Sequence, residues 1–269
     1  MPHYVIVANG DFLIKEIIAE AVQGKVIVAL DGAANRLACL GIKPNIILGD
    51  FDSIEPSDAA YWGIQKTFSE INNDSKAYEG KQGVTIVPAK DQDLTDLIKG
   101  IHYCDKNNAE SITLICAAGG RMDHHEGAVR SLCSEYKKNR MIFLHTEQQT
   151  LRFAKDELVE FHGKIGDKCG VLAYPSGSFT STGLLYAGDN YPLTFAFSES
   201  ICNSLKSATA NIKVVGGALL VMSPQLASQR DFANQPEVAR LELKLRDAKL
   251  YEQWRKRDAQ QSVNRNLFS

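Results

Sequence analysis

No stretch of this chain approaches the roughly 20 consecutive apolar residues that a membrane-spanning helix needs. No C-x-x-C pair occurs among the six cysteines, Cys39, Cys104, Cys116, Cys133, Cys169 and Cys202, and their spacing fits no zinc pattern. Cys116 lies inside an apolar run over 112–118, where a free thiol behaves as a small hydrophobe. The cysteines are therefore expected to be reduced core residues of a cytoplasmic protein. An excess of charge of either sign is also missing: 30 Lys+Arg stand against 32 Asp+Glu, a net of -2. Such a chain has no bulk field for a polyanion, and nucleic acid is not an expected partner. The basic stretch Arg255-Lys256-Arg257 has acids interleaved along its segment. The N-terminus, Met1-Pro2-His3-Tyr4-Val5-Ile6-Val7, lacks a basic leader and reads as a first strand, not a signal peptide. No Gly-x-x-x-x-Gly-Lys-Ser/Thr loop is present, which excludes a P-loop.

What the chain does contain is ordinary for a globular protein: 44% hydrophobic and 23% charged residues over 269 positions, enough for about two domains. Short Val/Ile/Leu runs alternate with helical patterns up to about residue 147. The expected strands are Tyr4–Val7, Val26–Leu30, Asn45–Leu48, Val84–Val87, Ile112–Cys116 and Met141–His145. The expected helices lie near Leu13–Val22, Ala33–Leu40, Asp93–Asp105 and His124–Lys138, with a loop excursion over Ser69–Gln82. Continuous apolar strands alternating with helices point to an open, mostly parallel α/β sheet. Over 148–223 the texture changes to short alternating segments broken by Gly, Pro, Ser and Asn, as in an antiparallel β-sandwich or barrel. Over 224–269, Pro224 and Pro236 bracket a polar connector, and a helical extension follows from Glu237. Val238, Leu241, Leu245 and Ala248 fall on one stripe, and Leu243, Leu250 and Trp254 lie on a different side. The helix is expected to pack on the body of the protein or on a partner subunit, and Glu242–Arg246 and Glu252–Lys256 have the spacing of i,i+4 ion pairs.

Four segments end a strand and at once present acids: Leu30-Asp31-Gly32, Leu48-Gly49-Asp50-Phe51-Asp52-Ser53, Asp91-Gln92-Asp93-Leu94-Thr95-Asp96 and Gly119-Gly120-Arg121-Met122-Asp123. In an open parallel sheet the C-terminal strand ends share one edge, and the ligand crevice lies there. Asp31, Asp50, Asp52, Asp96 and Asp123 are therefore expected to converge. Taken alone, Asp31, Asp123 and also Asp93 have a plainer reading as helix N-caps, and Gly49-Asp50-Phe51-Asp52-Ser53 as a turn with Asx hydrogen bonds. Asp50 and Asp52, two apart in extended chain, would point the same way. Clustered carboxylates raise one another's pKa unless a cation is present. An all-oxygen set suits a hard cation, Mg²⁺ before Ca²⁺ or Zn²⁺, and bound Mg²⁺ commonly completes its shell with substrate phosphates. Gly119-Gly120 allows close backbone approach to a phosphate, Arg121 offers a bidentate donor, and the helix near Asp123-His124 offers free N–H groups.

These motifs, in this order, resemble the thiamine pyrophosphokinase family. The matching segments are Asp31-Gly32-Ala33-Ala34-Asn35-Arg36-Leu37, Gly49-Asp50-Phe51-Asp52-Ser53, Asp91–Asp96, Gly119–His124, and Thr182-Gly183-Leu184-Leu185-Tyr186 with Ile201-Cys202-Asn203. The resemblance covers about residues 4–222. It implies an N-terminal α/β domain, a C-terminal β-sandwich, and a homodimer whose active site combines one subunit's α/β domain with the other's β domain. The implied reaction moves the β,γ-pyrophosphoryl group of ATP to thiamine, giving thiamine diphosphate and AMP. Asp50, Asp52 and Asp96, with Asp31, match the family's Mg²⁺-binding acids. Asn35, Gln92, Gly119, Gly120, Arg121, Asp123 and His124 match the ATP side, and Tyr186, Cys202 and Asn203 the thiamine side. Cys202 stands where the family carries a serine, and a thiol is the weaker hydrogen-bonding group. The tail beyond about Ser223 has no counterpart in the family pattern. The alternative acceptor is another heterocyclic alcohol, such as a hydroxymethyl pterin.

Overall fold

The computed structural model describes residues 1–52, 54, 56–65, 70 and 76–266; Ser53, Glu55, 66–69, 71–75 and 267–269 lie outside the described residues, as do the side chains of Pro56 and of 257–266, Arg257 among them. The chain divides into two compact units, Met1–Arg121 with Pro236–Ser269, and Met122–Gln235.

In the first unit, strands β1 (His3–Val7), β2 (Val26–Leu30), β3 (Ile46–Gly49), β4 (Tyr78–Glu79), β5 (Thr85–Pro88) and β6 (Ser111–Ile115) run in the order β6-β1-β2-β3-β5-β4. All pairings are parallel except the short β4 against β5, which closes the edge antiparallel. Val5, Ile6, Val7, Val28, Ile47, Leu48 and Ile86 are fully or almost fully buried, because helices leave neither face of such strands to water. Those helices are α1 (Lys15–Val22), α2 (Ala33–Cys39), α3 (Pro56–Trp62) and α4 (Asp96–Lys106). Val7 pairs with both Ala29 and Ile115, Leu30 with Leu48, and Gly49 with Pro88. The residues that follow each strand therefore emerge along one edge.

The long helix α7 (Glu237–Asn266) belongs to this unit and packs on α2 and α3. Its attachment to this unit does not use the aliphatic stripe. Val238, Leu241 and Leu245 are 69%, 56% and 49% exposed, and the docking groups are polar and aromatic instead. Arg246 makes two hydrogen bonds to Glu16, both 2.9 Å, and its Nε donates to Asp247. Arg246 thus goes to Glu16 and Asp247 and not to Glu242. The Lys15 N–H donates to Asp247 Oδ2 (2.8 Å), and Trp254 meets Tyr61 edge to face at 5.8 Å.

The second unit holds α5 (Met122–Ser134), five antiparallel strands of an eleven-stranded mixed sheet, and a separate four-stranded antiparallel sheet. The five strands run β13 (Ser200–Ser204), β10 (Lys168–Ala173), β15 (Ala218–Ser223), β8 (Thr150–Lys155), β7 (Met141–His145); the separate sheet runs β12 (Tyr191–Thr194), β11 (Ser176–Thr182), β14 (Thr209–Val215), β9 (Leu158–His162). Their inner faces share one core, with Val159, Phe161, Phe179, Ile212 and Val214 from one sheet and Ala154, Val171, Leu219 and Val221 from the other. β7 pairs antiparallel with β8, and Met141–His145 belongs to the same eleven-stranded sheet as the parallel strands. The polar connector also carries a helix, α6 (Ala227–Ala233). Gln229, with no exposed surface, holds it down: its Nε2 donates to Thr146 O (3.0 Å) and its Oε1 accepts from Thr150 Oγ1 (3.0 Å).

Candidate functional site

Asp31 follows β2, Asp50 follows β3, and Asp96 opens α4, so the topology brings three distant acids to the same edge. One carboxylate oxygen from each lies within 4.8 Å of the others. Asp31 and Asp50 are buried and Asp96 is half-buried. The backbone is shaped around this meeting. Asp31 and Phe51 both adopt left-handed conformations (φ 45° and 58°), and the Phe51 N–H donates to Asp31 Oδ1 at 3.1 Å. Gly49 leaves the space that the Asp31 carboxylate occupies; a Cβ there would overlap it.

The plainer N-cap reading does not hold for Asp31 or Asp93. Gly32 caps α2 without a side-chain bond, and Thr95 caps α4, its Oγ1 accepting from the Ile98 N–H. The remaining contacts tighten the acidic cluster. Gln92 Nε2 donates to Asp50 Oδ2 (3.0 Å). Lys99, a turn into α4 and 8% exposed, donates to Asp96 Oδ1 (3.0 Å) and to the Ala89 carbonyl (3.1 Å). Lys99 escaped the sequence reading because a lysine on a helix ordinarily means solvent. Its signal was the i,i+3 spacing from Asp96 amid Leu97, Ile98, Gly100 and Ile101.

One ammonium does not neutralise three carboxylates. Burial, then the hydrogen bond and charge of Asp96 and the charge of Asp50, push the Asp31 carboxyl up to about 9, against a smaller downward pull from the Phe51 N–H. This crowding favours the protonated form of Asp31 at neutral pH.

Asp52 is not drawn into this trio. The left-handed turn at Phe51 breaks the extended geometry that would have aligned it with Asp50; Asp52 is exposed, and its N–H lies 3.4 Å from Asp50 Oδ1. Asn35 is buried at 2% exposure, with its Oδ1 accepting from Trp62 Nε1 at 2.7 Å. Gly119 and Gly120 follow β6 with φ of 93° and 64°, and Arg121 is exposed beside them. Asp123 and His124 lie exposed in the first turn of α5, where the His124 N–H donates to Asp123 Oδ1.

Tyr186, Cys202 and Asn203 sit together in the second unit. Asn203 is 1% exposed and clasps the Tyr186 backbone, donating to its carbonyl (2.8 Å) and accepting from its N–H (3.1 Å). Tyr186 is exposed, and Cys202 is exposed at φ 61°.

Fold and site define the class: an open α/β unit with a cluster of three acids at its strand ends, and an antiparallel sandwich unit. Residues 19–144 match the family model of the thiamin pyrophosphokinase catalytic domain. Thiamine pyrophosphokinase 1 of Oryza sativa subsp. japonica is 28% identical over 212 residues, covering 69% of this chain and 74% of its own. Thiamine pyrophosphokinase 3 of the same plant is 26% identical over 196 residues, covering 68% of this chain and 67% of its own. Among solved structures, the thiamine pyrophosphokinase of Bacillus subtilis shares the fold with a TM-score of 0.66 at 21% identity, over 83% of this chain and 99% of that one. The enzyme of Candida albicans gives 0.64 at 19% identity, over 83% and 89%. Residues 19–144 thus carry the pattern of the thiamin pyrophosphokinase catalytic domain, and the chain is similar to thiamine pyrophosphokinases in sequence and in fold.

Proposed function

We propose that this protein is a Mg²⁺-dependent thiamine pyrophosphokinase. It transfers the β,γ-pyrophosphoryl group of ATP to the hydroxyethyl oxygen of thiamine, giving thiamine diphosphate and AMP. The observation that carries this reading is the convergence of Asp31, Asp50 and Asp96 within 4.8 Å. The donor set fits a hard divalent cation: it is all carboxylate, and a positive charge would relieve the crowding that favours a protonated Asp31. Asp31, Asp50 and Asp96 would hold the ion, with Asp52 at the exposed rim. When bound, Mg²⁺ supplies charge neutralisation for the polyphosphate.

The chain's own residues supply position. Lys99 takes one oxygen of Asp96, and Gln92 fixes one oxygen of Asp50. Gly119 and Gly120 admit the phosphates to the backbone, with Arg121 donating to them and Asp123 and His124 supporting the turn. In the transfer, the thiamine oxygen bonds to the β-phosphorus as the bond from that phosphorus to the α,β-bridging oxygen breaks. The hydroxyl proton passes to a carboxylate of the site, and AMP leaves with the bridging oxygen. Tyr186, Cys202 and Asn203 form the thiamine side, where Asn203 shapes the segment and Tyr186 and Cys202 face outward. A homodimer is the expected assembly. All six cysteines are free thiols, which suits the reducing cytoplasm.

Incubation with ATP, Mg²⁺ and thiamine tests the reading, with AMP and thiamine diphosphate as expected products. ADP in place of AMP, or AMP formed only with another alcohol, overturns it. Mixing an Asp96 variant with an Asn203 variant, each inactive alone, should restore partial activity if sites are shared between subunits.

A further inference from the structure

The segment after β1 lies between two neighbouring strand ends. It is stitched to the end of β6: the Ala8 N–H donates to Ile115 O and the Gly10 N–H to Cys116 O, both at 3.0 Å. Its side chains fill room that glycines leave. A Cβ at Gly32 would come within 2.9 Å of Asn9 Nδ2, and one at Gly119 within 2.6 Å of Asp11 Oδ2. At Gly120 the Asp11 Oδ1 would be 3.1 Å away. The Asp11 carboxylate thus lies against the glycine pair and sets its path.

One side chain grips this loop from the other side. Arg36 Nη1 donates to the Gly10 carbonyl at 2.9 Å, and its guanidinium lies 4.2 Å from the Phe12 ring and 5.5 Å from the Tyr251 ring. Phe12 is part of the gripped segment; Tyr251 comes from α7, in the tail that the family pattern does not include. Arg246–Glu16, Lys15–Asp247 and Tyr61–Trp254 fix the helix at that place. Aromatic faces restrain a guanidinium by attraction to its positive charge and limit the directions its planar fork can take.

We propose that Tyr251 is a positioning residue for ATP: it holds Arg36 on the Gly10 carbonyl, and through Asn9–Asp11 keeps Gly119–Gly120 in the shape that receives phosphate. This rests on the reading of Gly119–Gly120 as a phosphate-binding turn. The tail would then support the nucleotide side of the reaction without touching a reactant.

The test uses the full-length protein and a non-hydrolysable ATP analogue, titrated with Mg²⁺ but without thiamine, alongside steady-state kinetics. Tyr251→Ala should weaken analogue binding and raise the KM for ATP about two- to fivefold, the scale of an exposed cation–π contact. The KM for thiamine and kcat should stay near wild type. Tyr251→Phe, which keeps the ring face, should restore nucleotide affinity. Arg36→Lys, which keeps the charge and loses the fork, should weaken the analogue in the same direction, and it serves if Tyr251→Ala does not fold. Unchanged nucleotide affinity in these variants, a matching rise in the KM for thiamine, or a Phe variant as weak as the Ala variant overturns the proposal. A wild-type protein that binds the analogue but makes no AMP strikes the proposed function alone; one that binds no nucleotide overturns both.

Discussion

The acidic edge of the first unit and the Tyr186–Asn203 region of the second treat their polar atoms in opposite ways. At the acidic edge, three carboxylates crowd together, one buried ammonium answers them, and the crowding favours a proton on Asp31. Around Asn203, each amide atom is engaged: Oδ1 accepts from the N–H groups of Tyr186 and Ser204, and Nδ2 donates to Tyr186 O and Ser200 Oγ. The first region stores unanswered charge for a ligand. The second consumes its hydrogen bonds to hold a shape and presents an aromatic ring and a thiol outward. Under the proposed function, the acidic cluster would attract the cation that carries the polyphosphate, whereas shape and an exposed ring would suit a flat heterocycle.

That contrast breaks most readily at Asp96. Asp96→Asn should lower kcat about 10²- to 10³-fold while the Tm stays within a few degrees, because it removes charge and no core packing; near-normal turnover would remove Asp96 from the site. Lys99→Met should come next. It strips the Ala89 carbonyl and Asp96 of a buried donor, at a cost of about 1–3 kcal/mol read by denaturant unfolding, and activity should fall with it; an unchanged stability would show that Lys99 is not an anchor. Asn203→Ala should cost a similar or smaller amount, and should raise the KM for thiamine while leaving that for ATP alone. If the KM for ATP rose instead, the division of labour between the two regions would be wrong.

A pH series sharpens the same contrast. With its carboxyl raised from 3.8 to about 9, Asp31 binds a proton in the folded protein that the unfolded chain has already released. Its contribution to metal-free stability is therefore complete below about pH 4 and is lost as the pH rises through about 9. A divalent cation must displace that proton, so the Mg²⁺ concentration giving half the thermal shift should fall between pH 6 and pH 9. A pH-independent midpoint would refute the assignment. The smallest effect is expected for Asp52→Asn, about fivefold or less in kcat/KM, as for an exposed charge acting through solvent.

The strands were legible because buried parallel strands must be continuously apolar, and Val26–Leu30 and Met141–His145 fall where that rule puts them. The convergence of Asp31, Asp50 and Asp96 was legible for a topological reason: successive parallel strands deliver their C-terminal ends to one edge. Less was visible where tertiary contacts override local pattern. Helix α6 has little apolar periodicity and is held by the buried amide of Gln229. The side of α7 that attaches could not be chosen from its aliphatic stripe, because the attachments are Arg246, Asp247, Tyr251 and Trp254. Asp52 lies outside the 4.8 Å cluster, next to a left-handed φ at Phe51 that cannot be read from a phenylalanine, a residue that rarely adopts one. Lys99 stayed hidden because its partners, a carboxylate one turn back and a loop carbonyl, meet only in three dimensions.

Gly49 bears on how damage to this protein would look. Its hydrogen, where any other residue carries a carbon, is what gives the Asp31 carboxylate a seat. A single methyl group at that position would evict an ionisable group without altering any ionisable residue. A genetic screen should therefore recover inactive alleles at a position with no functional group, and a search restricted to reactive side chains would pass over them.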